Sequence, residues 1–168
     1  PPLSHGFKVA IGTLAMTAFY ERFLQRDLAS IDVDAVVAAW PTWDELEADI
    51  RSKLTGALAE KGVRETREKY VDADGLRVRV QTLVDDWPSL RPRLEAQLVP
   101  AATLQRSLAA AGTPTHPEQI GLTLADLKAT FPRAMYYRSR YTVLDVSREI
   151  GWFAELVDEV FAPGGLWT

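Results

Sequence analysis

With 168 residues, 47% of them hydrophobic and 25% charged, the chain is long enough to bury a core within one domain and too apolar to remain disordered. A net charge of −4, with acids and bases interspersed, lacks the basic stripe that displaces counterions from a phosphate backbone, so nucleic acid is excluded as a partner. The absence of cysteine excludes disulfides, thiolate nucleophiles and sulfur-ligated zinc, and is compatible with a cytoplasmic setting.

The elements follow in chain order. Ser4 is placed to N-cap a first helix reaching about Arg26, with Phe7, Ile11, Leu14 and Ala18 at three- and four-residue steps and Phe19 and Phe23 widening the apolar face. Residues 9–20 form the longest uncharged stretch, too short for the roughly 20 residues that span a bilayer, so no membrane span is expected. Asp32 or Asp34 caps a short turn over residues 35–40, which Pro41 stops. Thr42-Trp43-Asp44-Glu45 is a capping box opening a helix whose stripe is Trp43, Leu46, Ile50, Leu54 and Leu58, with Gly62 as its stop. The charged residues 63–74 begin as helix and end as loop. Leu76, Val80, Leu83 and Val84 support a helix ending at Trp87-Pro88, and Ser89 caps the next one through Leu98.

Pro100 separates off the alanine-rich helix 101–111, with Gly112 at its C′ position. Residues 113–117 are a rigid loop, because each X-Pro step forces the preceding residue to extended geometry. Gly121 closes a turn over residues 118–120, and Thr123 with Asp126 starts a helix carrying Leu124, Leu127 and Phe131, with Pro132 as a point for a kink. Residues 133–140 resume helix and residues 142–150 follow. Gly151 sets apart a last amphipathic piece with Trp152, Leu156, Val160 and Phe161. With no alternating strand pattern, the expectation is an all-α, antiparallel multi-helix bundle.

Enzyme signatures are sparse. There is no GxGxxG or Walker spacing, no Gly-x-Ser-x-Gly elbow and no paired-histidine zinc motif. His5 stands in the first turn of its helix, where the positive end of the macrodipole favours the neutral ring that a metal requires. An exposed or hydrogen-bonded structural histidine fits the same position. His116 reads as a loop residue. Arg133, Arg138 and Arg140 offer forked donors to a phosphate, or else a solvated face paired with neighbouring acids.

Several phrases carry a family resemblance. They are Ser4-His5-Gly6-Phe7-Lys8-Val9-Ala10-Ile11-Gly12-Thr13, the run from Ala111-Gly112-Thr113-Pro114-Thr115-His116-Pro117 to Glu118-Gln119-Ile120-Gly121, and Arg138-Ser139-Arg140-Tyr141-Thr142-Val143-Leu144-Asp145. Together with Trp87-Pro88 and Gln97-Leu98-Val99-Pro100, they resemble the C-terminal helical region of bacterial sn-glycerol-1-phosphate dehydrogenases. That branch is grouped with iron-containing alcohol dehydrogenases, glycerol dehydrogenase and dehydroquinate synthase.

The resemblance implies that residues 1–168 are the helical, metal-binding side of a longer enzyme of phospholipid metabolism, whose nucleotide-binding domain precedes them. In that family a divalent metal, zinc or nickel among others, is held by one aspartate and two histidines. It polarises dihydroxyacetone phosphate while NADH or NADPH delivers hydride. His5 matches the histidine of the family's His-Gly phrase and is thereby expected to ligate the metal. The resemblance assigns no catalytic or cofactor-binding residue within this chain. It implies a homodimer for the parent enzyme, and a piece that alone binds neither metal nor NAD(P)H tightly and is inactive. The alternative is a stand-alone helical module for interaction or ligand binding, for which a pocket lined by Arg138 or Arg140 would be one sign.

Overall fold

The computed structural model describes residues 4–167, and among these it contains nine α-helices, two short 3-10 turns and no strand. The chain is all-helical. The α-helices are α1 (His5–Leu24), α2 (Val33–Ala38), α3 (Trp43–Lys53), α4 (Gly56–Arg67), α5 (Ala73–Gln97), α6 (Ala101–Ala110), α7 (Leu124–Tyr136), α8 (Val143–Glu149) and α9 (Phe153–Val160), with 3-10 turns at Leu28–Ser30 and Pro117–Ile120. They gather into two compact units. The first takes residues up to Arg26, Ser89–Lys128 and the chain from Ala154 on; the second takes Asp27–Pro88 and Ala129–Phe153.

In the first unit α1 buries Ile11, Leu14, Ala15, Ala18 and Phe19, the three- and four-residue spacing of a helix with one apolar face. Phe7 departs from the expected face: it is 38% exposed, and Val9 beside it is 49% exposed. Glu21 accepts the N–H of Ala101 at 2.8 Å, supplying the cap that Pro100 cannot give to α6. At the other end of α6 the N–H groups of Gly112 and Thr113 donate to Ala109 and Leu108, with Gly112 at φ 70°, a Schellman closure. Arg26 pairs with Glu155 and Glu159 of α9, Lys128 pairs with Asp158, and the Trp167 indole donates to the Thr115 carbonyl.

The second unit is built on α3 and α4. Thr42 and Glu45 form the expected capping box, but α3 stops at Lys53 rather than running to Gly62. Leu54 is extended, and the chain turns through Thr55 and Gly56, the latter at φ 55°, before α4 begins. The reversal lets the helices approach closely at Gly62, where an added Cβ would lie 2.7 Å from Leu54 and 3.1 Å from Ile50. Gly62 is thus a contact point inside a helix, not a stop. The same turn takes Leu58 out of the stripe and leaves it 51% exposed, while Ala59, Gly62 and Thr66 form the buried face of α4.

Two further boundaries differ from expectation. Ser89 lies inside a helix and does not start one, because α5 runs on through Pro88 and Pro92 to Gln97. Both prolines are exposed, and the buried Trp87 anchors the helix just before them. Conversely, α7 continues past Pro132 but ends at Tyr136, so residues 137–140 are not helical. There the Tyr136 hydroxyl donates to Asp49, and the Ser139 N–H donates to Glu65 at 3.0 Å instead of to a helical carbonyl.

Leu46 is 1% exposed whereas Leu58 is half-exposed. Leu46→Ala is expected to cost about 2–5 kcal/mol in urea unfolding, and Leu58→Ala less than about 0.5 kcal/mol. Equal losses would contradict the break after α3.

Candidate functional site

His5 is the first residue of α1 and is exposed. Ser4 occupies the N-cap with its hydroxyl unbonded to the helix, and its carbonyl accepts the N–H groups of Phe7 and Lys8. Beside this turn lies an apolar groove lined by Phe7, Val9, Ala10, Leu104 and Leu108. Among the described residues no three His, Asp or Glu side chains converge to hold a metal. His5 therefore offers one imidazole donor and not a ligand set. Nor do the described residues offer the strand and glycine-rich turn that cradle a dinucleotide.

His116 is structural. Its Nδ1 accepts the Glu118 N–H at 3.3 Å, while Gln119 accepts the N–H groups of Thr115 and His116, closing the turn that Gly121 ends. Arg133, Arg138 and Arg140 are all exposed, and Arg138 lies over the Tyr137 ring with 5.9 Å to its centroid. None of the three lines the small cavity that Thr66, Met135, Tyr136 and Asp145 border in the second unit.

That cavity is where charge is concentrated. Lys69, just past α4, pairs with Asp145 of α8 at 2.5 Å, and its ammonium also donates to the Met135 carbonyl at 2.6 Å; the two side chains are 7% and 9% exposed. One turn along α8, Glu149 is 6% exposed and receives Arg79 and the Tyr141 hydroxyl. Arg79 also reaches back to the Lys69 carbonyl. Asp145 keeps a second duty, accepting the N–H and hydroxyl of Thr142 at the start of α8. Thr66, Tyr70, Tyr136 and Arg148 also line this space of about 20 Å³, and among the described residues the buried Thr66 hydroxyl has no hydrogen-bond partner.

Burial acts on three groups of this cluster. It pushes the Glu149 carboxyl above its usual value, outweighing the Tyr141 hydroxyl and Arg79, and it raises the Tyr141 and Tyr136 hydroxyls so that both remain protonated donors. Asp49, less buried, goes the other way: against desolvation, the Lys53 ammonium and the Tyr136 hydroxyl hold its carboxyl below the ordinary range. The arrangement can hold protons and fixed charges in a poorly solvated space.

The residues of this cluster were not singled out from the sequence. The usable signal is Asp145, Arg148 and Glu149 at three- and four-residue spacing within a short helix bordered by Val143, Leu144 and Ile150, which leaves the charges too little solvent-facing surface. Compared with family models, with curated proteins and with solved structures, the chain finds no match in any of the three.

Removing one partner of a buried pair strands the other. Lys69→Met is expected to cost about 3–5 kcal/mol in urea unfolding. Adding Asp145→Asn, which keeps an oxygen for the α8 cap, should recover part of that loss. A single-variant cost below about 1 kcal/mol would show that Asp145 is solvated.

Proposed function

We propose that this chain is the C-terminal helical part of a metal-dependent, NAD(P)H-linked sn-glycerol-1-phosphate dehydrogenase. Such an enzyme reduces dihydroxyacetone phosphate to sn-glycerol 1-phosphate. The observation that carries the reading is the set of phrases opening on Ser4-His5-Gly6, which resemble that family along most of the chain. Support comes from the place of His5 at an exposed first turn, where its imidazole is free to meet a metal held by an aspartate and a histidine from elsewhere in the enzyme. On this reading the metal polarises the substrate carbonyl, the preceding domain carries the dinucleotide, and this chain supplies one ligand and one wall of the cleft. The parent enzyme is a homodimer in the cytoplasm.

A stand-alone helical interaction module is the second reading. Phe7 and Val9, exposed along the groove beside α6, favour it. In the enzyme carrying this sequence, His5→Ala is expected to remove bound metal and lower turnover at least 100-fold, with the far-ultraviolet helix signal unchanged. Metal content by mass spectrometry and dihydroxyacetone phosphate-dependent NADH oxidation measure both. Retention of metal and turnover would exclude His5 as a ligand; absence of turnover from the unsubstituted enzyme would favour the module.

A further inference from the structure

A second opening of the second unit carries an inference independent of His5. Arg148 projects from α8 with 21% of its side chain exposed, flanked by the rings of Trp40 and Tyr136 at 5.8 and 5.5 Å from their centroids. Among the described residues its nearest carboxylate oxygen is Asp49 Oδ2 at 3.9 Å, beyond hydrogen-bond reach, and Asp49 is already engaged by Lys53 and Tyr136. A guanidinium has five donors in a planar fork that matches a carboxylate. Here that fork is mostly withdrawn from solvent and hydrogen-bonded to no described residue.

The charges around it leave room for one more anion. Glu149 is occupied by Arg79 and Tyr141, and Asp145 by Lys69. The cluster thus sets the cations Lys53, Lys69, Arg79 and Arg148 against the carboxylates Asp49, Asp145 and Glu149, a surplus of one positive charge. Arg148 also lines an outer groove of about 440 Å³, whose wall includes Glu149 and is otherwise largely apolar: Ala35, Val36, Ala39, Trp40 and Ile150. Helix α2 forms one side and buries none of its residues, although four of its six are alanine or valine beyond Val33 and Asp34. The size falls within the range of small-molecule sites.

We propose that this groove binds a small monocarboxylate with an apolar tail, its carboxylate forked onto Arg148 and its tail along Val36, Ala39 and Ile150. One negative charge balances the cluster, and the tail covers the apolar wall that α2 leaves open. A dianion would overshoot that balance, and a cation would meet Arg148 while the Glu149 carboxylate in the wall is already held by Arg79 and Tyr141.

Titration with hexanoate, followed by proton–nitrogen NMR at the Trp40 indole, tests this. Hexanoate should give a saturable shift, with acetate and hexylammonium at least tenfold weaker. Arg148→Gln should weaken hexanoate at least tenfold. Val36→Asp, at a half-buried position of α2, should do the same with the thermal midpoint unchanged, and decides the matter if Arg148→Gln does not fold. No saturable shift, or an undiminished one in Val36→Asp, overturns the proposal. Inorganic phosphate binding as tightly as hexanoate overturns it too, by showing a bare anion site with no use for the tail.

Discussion

The second unit depends on the closure of Lys69 onto Asp145. The ammonium joins the segment after α4 to α8 through the carboxylate and to α7 through the Met135 carbonyl, with both charged side chains under a tenth exposed. Such a pair is costly to desolvate, and its attraction compensates better the more of the surrounding donors and acceptors are used. Here several are used. Asp145 takes the Thr142 N–H and hydroxyl, the Lys69 carbonyl takes Arg79, and Arg79 takes Glu149. The aromatic layer extends the same logic outward: Trp40 and Tyr70 stack, and each has its polar atom bonded to a backbone carbonyl, of Val71 and Pro41 respectively.

Elements set by local chemistry were legible from the sequence. The Thr42–Glu45 and Thr123–Asp126 boxes, the Gly112 closure and the left-handed Gly121 depend on residues within five positions of one another. What was not legible depends on distant partners. Gly62 resembles a helix stop until Leu54 and Ile50 lie against it, and Pro88 resembles a break until Trp87 is buried and the proline faces solvent. The charge cluster was missed for the same reason. Lys69 and Asp145 are far apart in sequence, and each alone looks like an ordinary surface charge.

His5 and the buried cluster illustrate two ways a charged or titratable group becomes useful. His5 stands at an open helix start with its ring free, so any role it has comes from groups brought to it. Asp145 and Glu149 have their partners built in, and both are buried. Because burial raises the Glu149 carboxyl in the folded chain, this group favours folding fully below its ordinary value of 4.5 and loses that contribution as pH rises through the folded value.

A single measurement addresses the claim that the Glu149 carboxyl sits in a poorly solvated space: its site-resolved carbon NMR titration in the folded chain. A midpoint above 4.5 is the predicted result, since burial outweighs Tyr141 and Arg79. A midpoint at or below 4.5 would contradict the account, by showing that Glu149 is either solvated or dominated by the Arg79 guanidinium, and that burial does not govern it.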